Sequence, residues 1–297
     1  MKLSARAKVD LAGYLWVSPW IAGFLLFMLL PAALSAYYSL TDYPVLEAPI
    51  FVGFDNYTRM WREPDFRDAA LRTLLYAAAV VPLSTILALV LAALLCGGRR
   101  LTGFLRAAIF LPTLVPMVAA GMVWMWLLNG GYGLINQSLA LIGVEGPNWL
   151  GDGPMVLVSL IIIALWGVGH SVVIYEAAMR EVPPSLYEAA ALDGMGPVAR
   201  FWHVTLPMIS PAILFNVVTL MIGSLQLFGM PAVLSKSNEG ADPRAFTFFT
   251  NEMFSQAFLN GQMGYASAMA WVQLLFVLAL TGLTFAVSGR LVHYRGG

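Results

Sequence analysis

Polar residues in this chain gather into a few short stretches, and long apolar runs fill the space between them. The runs fall at about residues 11–34, 73–96, 105–128, 154–179, 210–234 and 265–287. Each approaches or exceeds the ~20 residues with which a helix crosses a hydrocarbon layer. A helix satisfies its backbone polar groups internally, so the pattern predicts an all-α integral membrane fold of six transmembrane helices in a single domain over residues 1–297. The first run follows Lys2, Arg6 and Lys8 and has a signal-like small-residue site at Ala33-Leu34-Ser35. Its length exceeds the ~7–15 residues of a signal core and favours a first membrane helix. Pro82 predicts a kink in the second run, and Trp124 and Trp126 are placed as interfacial anchors of the third.

Between the fourth and fifth runs, residues 183–211 combine charge, turn chemistry and aromatic side chains. Pro183 and Pro184 stop the preceding helix. Ser185 and Glu188 have the spacing of a capping box, Gly194 suits a left-handed helix end, and Gly196-Pro197 suits a second helix start. The stretch predicts a short helix, a turn and a second helix.

Composition supports the membrane assignment. Of 297 residues, 60% are hydrophobic and 11% charged, and mean hydropathy is +0.78, against ~45–50% apolar and ~25% charged in soluble domains. The zero formal net charge argues against a nucleic-acid partner. Cys96 is the one cysteine, and His170, His203 and His293 are far apart, so neither an internal disulfide nor a local metal motif is expected. Ten Lys and Arg residues (Lys2, Arg6, Lys8, Arg99, Arg100, Arg106, Arg180, Arg200, Arg290, Arg295) fall on one side of the alternating runs. Six (Arg59, Arg62, Arg67, Arg72, Lys236, Arg244) fall on the other. The positive-inside bias places both termini and the 180–207 loop in the cytoplasm, with loops 42–72, 129–153 and 235–262 outside.

Catalytic motifs are missing. None of Lys2, Lys8 and Lys236 follows a glycine, so there is no Walker A loop, and no nucleophile-elbow or zinc-protease motif occurs. The spans hold few ionisable groups; Glu176 is read as interfacial and His170 as a packing residue, against an ion-coupled transporter. Asn216, Thr219, Gly223 and Gln226 share one face of the fifth helix, where both helix–helix contact and a substrate pathway fit. Trp166 and His170 form an i, i+4 pair on the fourth, read first as packing. Asn129 is read as interfacial.

Glu188-Ala189-Ala190, three residues, Gly194, nine residues, then Val204-Thr205-Leu206-Pro207 resembles the EAA signature of ABC-importer permease subunits, with Val204 in place of the usual Ile. The chain is also similar to the first permease subunit of the maltose- and glycerol-phosphate-type sugar importers over about residues 10–290. The stretches that carry this include Phe51-Val52-Gly53-Phe54-Asp55-Asn56-Tyr57, Phe110-Leu111-Pro112, Gly223-Ser224-Leu225-Gln226 and Gly264-Tyr265-Ala266. It departs from the family's pattern at Gly229, where Asp is frequent, and at Ser237-Asn238-Glu239, where Gly-Gly-Pro is frequent.

The resemblance implies coupling helices at 184–207 that dock on a cytoplasmic ATPase, with Glu188, Ala189, Ala190, Asp193, Gly194, Leu206 and Pro207 as the coupling residues. It implies a second, homologous permease subunit, two ATPase subunits that carry ATP and magnesium, and an extracytoplasmic solute-binding protein. This chain itself would hold no cofactor and would not be an enzyme. It would reside in a bacterial cytoplasmic membrane and carry sugar by ATP-driven alternating access, with Asn216, Thr219, Gly223, Gln226, Trp166 and His170 along the pathway. A glycerol-phosphate or glycerophosphodiester importer and a stand-alone secondary transporter are the alternatives.

Overall fold

The computed structural model describes residues 5–97, 101–151, 153–236 and 242–289, with the backbone alone for 5–12 and Pro243. Lys2, the Arg99-Arg100 pair, Ser237-Asn238-Glu239 and the tail with Arg290, His293 and Arg295 lie outside the described residues. The chain is predominantly helical and falls into two compact units. One comprises the chain up to Pro64 with Met253–Leu275, the other Asp65–Glu252 with the chain from Phe276.

In the first unit, α1 (Ala5–Phe24) passes through a π-helical turn (Leu25–Leu29) into α2 (Leu30–Tyr38). The apolar segment therefore runs past the expected end at 34. A two-stranded antiparallel ribbon follows, β1 (Thr41–Asp42) with β2 (Ile50–Phe51), then α3 (Asp55–Arg62). Buried Asn56 holds the ribbon, its amide donating to the carbonyls of Ser39 at 3.0 Å and Thr41 at 2.9 Å. The Arg59 guanidinium lies 4.5 Å from the Tyr265 ring centre and donates to Gln262 Oε1 at 2.8 Å. Gly264 faces the Thr41 carbonyl so closely that a Cβ would strike it.

The second unit is built on α4 (Pro64–Cys96), one uninterrupted helix that carries Pro82 inside it. Then come α5 (Thr102–Phe110), a 3-10 turn (Leu111–Leu114) and α6 (Met117–Leu127). The expected third span is thus broken, its halves meeting at 100°. Pro116 forces Val115 out of helical geometry (ψ 126°). After α7 (Leu134–Leu141), inside a stretch expected to be irregular, come α8 (Gly153–Trp166) and α9 (Gly169–Arg180), bent by 44° at their junction. The polar loop carries α10 (Pro184–Leu192), α11 (Pro197–Arg200), a π-helical turn (Phe201–Thr205) and α12 (Leu206–Met208). Helices α13 (Ser210–Leu225), α14 (Gly229–Leu234), α15 (Phe249–Phe254) and α16 (Met263–Ser288) complete the chain.

By length and apolarity four helical segments can each cross a membrane, and six can if each bent pair counts as one span. Two of the apolar cores along α4 bear on the site. The first joins Tyr76 and Val80 to Leu128, Leu160, Ile163, Leu234 and Phe248. There the Thr73 hydroxyl accepts from the Phe249 N–H at 2.9 Å, a bond worth about 1 kcal/mol. The second sets the small residues Ala88 and Ala92 against Val172 and Tyr175 of α9, since small side chains let helices approach closely.

Candidate functional site

The polar loop after α9 is ordered by backbone chemistry. Pro183 is the N-cap of α10 (ψ 130°) and Pro184 its first residue, so Ser185 lies inside the first turn and makes no capping bond. The expected capping box therefore does not form, because two fixed proline dihedrals start the helix before Ser185 is reached. The end of α10 matches expectation. Gly194 takes φ +78°, its N–H donates to the Ala191 carbonyl at 3.1 Å, and the Met195 N–H donates to the Ala190 carbonyl at 2.9 Å. These two bonds make a Schellman motif, which needs a residue at ease with positive φ. Gly196 then caps α11, with Pro197 as its first residue.

Packing divides the loop into two faces. Ala190 is buried, and Tyr187, Phe201 and Val204 rest on the second core. The Tyr187 hydroxyl lies 3.0 Å from Thr205 Oγ1 and joins α10 to the π-helical turn. On the opposite face Glu188, Ala189, Asp193 and Gly194 are exposed, and Leu192 is 90% exposed. Leu206 and Pro207 are half-buried in the second helical piece. A cavity of about 1000 Å³, lined in part by Leu94, Tyr187, Glu188 and Phe201, opens beside α10.

Glu176, read from the sequence as interfacial, is buried among its neighbours in this chain. Its side chain is 5% exposed and accepts four hydrogen bonds from two arginines: Arg106 Nε at 2.8 Å on Oε2, Arg106 Nη2 on Oε1, and Arg180 Nε at 3.1 Å and Nη2 at 2.8 Å on Oε1. Arginine's planar fork matches a carboxylate edge, and the arrangement leaves the buried charge compensated. The Glu176–Arg180 spacing of i, i+4 was readable; Arg106, 70 residues upstream, was not.

The fifth-helix face divides between two environments. Asn216 is buried, whereas Thr219, Gly223 and Gln226 are exposed on this chain. α13 ends at Leu225, so Gln226 caps a break before α14. The Phe228 carbonyl at that break accepts from the Asn251 amide at 3.1 Å. α6 packs on α14 through glycines: a Cβ on Gly121 would come 2.7 Å from Val233 Cγ1, and one on Gly229 would strike Met117. Trp166 and His170 do not share a helix face, because the chain breaks between α8 and α9. Trp166 instead packs edge-on against Trp124, ring centres 5.7 Å apart, and His170 is exposed. Gly169 abuts the Ile109 carbonyl and Phe110 Cα, so α5 and α9 touch backbone to backbone. Asn129 closes a turn, its Oδ1 accepting from the N–H groups of Gly131 and Tyr132 at 2.9 and 3.0 Å. Among the described residues no His, Cys, Asp or Glu cluster is arranged to hold a metal ion.

Several membrane-length helices, two of them broken, and a capped helical loop with one exposed face define a polytopic membrane protein of transporter type. A chain of a bacterial alginate ABC transporter, solved with an alginate pentasaccharide-bound periplasmic protein, has the same fold, with TM-score 0.85 over 98% of each chain at 19% identity. Residues 81–293 match the family of binding-protein-dependent transport system inner membrane components, and the chain belongs to that family. The probable ABC transporter permease YesP of Bacillus subtilis is 35% identical, over 99% of this chain and 96% of that one. The lactose permease LacF of Rhizobium radiobacter is 33% identical over 95% of each. The sn-glycerol-3-phosphate permease UgpA of Pectobacterium atrosepticum is 28% identical over 95% of each. The chain is therefore an ABC-transporter permease, an inner-membrane transport subunit and not an enzyme.

Proposed function

We propose that this chain, as one transmembrane domain of six spans with both termini cytoplasmic, imports a sugar through the bacterial inner membrane. It works beside a second, homologous permease subunit. Two cytoplasmic ATPase subunits supply ATP and magnesium, and an extracytoplasmic binding protein delivers the solute. This chain itself holds no cofactor. The observation that carries the reading is the exposed face of α10, where Glu188, Ala189, Leu192 and Asp193 stand clear of the core while Ala190 and Tyr187 anchor the helix from behind. Small residues on such a face let a partner cleft close on the helix, Glu188 offers it one charge, and Gly194 completes the turn. Leu206 and Pro207 carry the second helical piece toward α13.

ATP drives the cycle only if the closed ATPase pair binds one conformation of the spans better than the other. The loop is the lever, and the helix breaks at 115–116 and 226–228 are where the spans bend. Thr219, Gly223 and Gln226, exposed on this chain, face the pathway; Asn216 supports them from inside. Trp166 and His170 stand beside the bend between α8 and α9.

A neutral sugar is the favoured cargo. The sequence holds no Lys or Arg in 73–98, 107–179 or 201–235, and Arg106 is already engaged by Glu176, so these apolar stretches offer no free cation to an anionic solute. The lactose relative supports this reading; the glycerol-phosphate relative supports the alternative of a phosphate ester paired by the partner permease. ATP hydrolysis by the assembled complex, measured with lactose, diacetylchitobiose, sn-glycerol 3-phosphate and glycerophosphodiesters, decides between them. Stimulation by the sugars alone is expected, and stimulation by the phosphate compounds alone overturns the sugar reading.

A further inference from the structure

We propose that the Glu176 carboxylate, clasped between Arg106 of α5 and Arg180 of α9, is the positioning residue that carries movement of the polar loop into the bent third apolar segment. The inference rests on the importer reading above. It starts from an asymmetry of burial: the Glu176 side chain is 5% exposed, whereas those of Arg106 and Arg180 are 43% and 54% exposed. The carboxylate is thus the fixed centre and the arginines are arms that reach it from two elements.

One arm belongs to the end of α9, which leads within three residues into Pro183 and α10. The other belongs to α5, which leads through the 3-10 turn to the 100° bend before α6. The fork from Arg106 is bidentate, so it fixes the angle between the helices as well as their separation. A second contact between the same two helices, Gly169 on the Ile109 and Phe110 backbone, sits seven residues earlier on α9. Two contacts spaced along both helices make α5 and α9 move as a pair. Beyond the bend, α6 is packed through Gly121 against Val233 of α14, the helix that follows Gln226. A continuous packed route therefore joins the loop to the break at Gln226, and Glu176 is an ionic joint within it. Packed networks of this kind transmit coupling when the elements at their ends have two discrete arrangements, and helix breaks held by proline and glycine are suited to that.

The substitution Glu176→Gln keeps the volume and removes the charge. The stranded arginines reach solvent, so folding is expected to survive; the double variant Arg106→Gln with Glu176→Gln leaves still less unpaired charge and is read in parallel. The assembled complex is prepared with Cys96→Ser, and an environment-sensitive bimane is placed at Val198→Cys on α11 or at Trp126→Cys on α6, both exposed positions. ATP with vanadate is the probe.

In the unaltered complex both labels respond. With Glu176→Gln, and equally with the double variant, the Val198 response persists while the Trp126 response falls by about fivefold or more. A Trp126 response of unaltered size in these variants overturns the proposal, and so does a parallel loss at both labels, which marks a general structural role. Silence at both labels in the unaltered complex overturns the importer reading itself and this inference with it.

Discussion

Tyr187 and Thr205 stand eighteen residues apart and meet hydroxyl to hydroxyl at 3.0 Å, which closes α10 and the π-helical turn Phe201–Thr205 into one body. Thr205 is buried and Tyr187 is half-buried against the second core, whereas Glu188 and Asp193 are exposed. The bond therefore holds the two halves of the loop at a fixed angle without occupying the face offered to a partner.

Tyr187→Phe removes that bond and keeps the ring packed on the second core. The loss of about 1 kcal/mol is expected to appear locally. Hydrogen exchange should quicken across residues 184–208 and stay unchanged in α4. Exchange that is unaltered in the loop would show that packing alone sets its geometry.

Gly194 has open space around it, so substitution there tests the backbone alone. A side chain at φ +78° costs about 1–2 kcal/mol. Gly194→Val is expected to cut retention of the ATPase subunit on purification by about tenfold, while Gly194→Asn, better suited to positive φ, keeps most of it. Equal retention in both variants would contradict the role given to this turn.

Gly169 is the opposite case, because a Cβ there collides with the Ile109 carbonyl. Gly169→Leu is expected to destabilise the protein by about 1–3 kcal/mol, seen as a lower unfolding temperature in detergent. Gly223→Ala meets nothing nearby and should unfold at the native temperature. Indistinguishable melting of the two variants would refute the close α5–α9 contact.

Gln226 and Asn216 separate pathway from packing. Gln226 is exposed at the end of α13 and Asn216 is buried within it. Gln226→Leu should weaken uptake affinity by about tenfold with membrane levels unchanged. Asn216→Leu should act on membrane levels instead. An unchanged affinity in Gln226→Leu removes that side chain from the pathway.

The apolar runs, the loop's helix–turn–helix form and the Gly194 turn were legible in the sequence because periodicity, proline and positive φ are local properties. The capping box at Ser185 misled because Pro183 and Pro184 fix the helix start through their own rings. The break in the third apolar run was foreshadowed by Pro112 and Pro116, but a run of apolar residues carries no information on the angle between its halves. The burial of Glu176 was not legible because it depends on Arg106, which reaches it only after α5 packs on α9. Trp166 and His170 lost their shared face because the chain bends by 44° between α8 and α9, and i, i+4 spacing carries no information on such a bend.

The most direct measurement is solute uptake by proteoliposomes holding this chain with the partners that co-purify with it, binding protein outside and ATP inside. Uptake of lactose or diacetylchitobiose that requires both ATP and the binding protein, and that fails in Glu188→Arg while the chain stays in the membrane, is the predicted result. Uptake by this chain alone without ATP or partners, or undiminished uptake in Glu188→Arg, would contradict it.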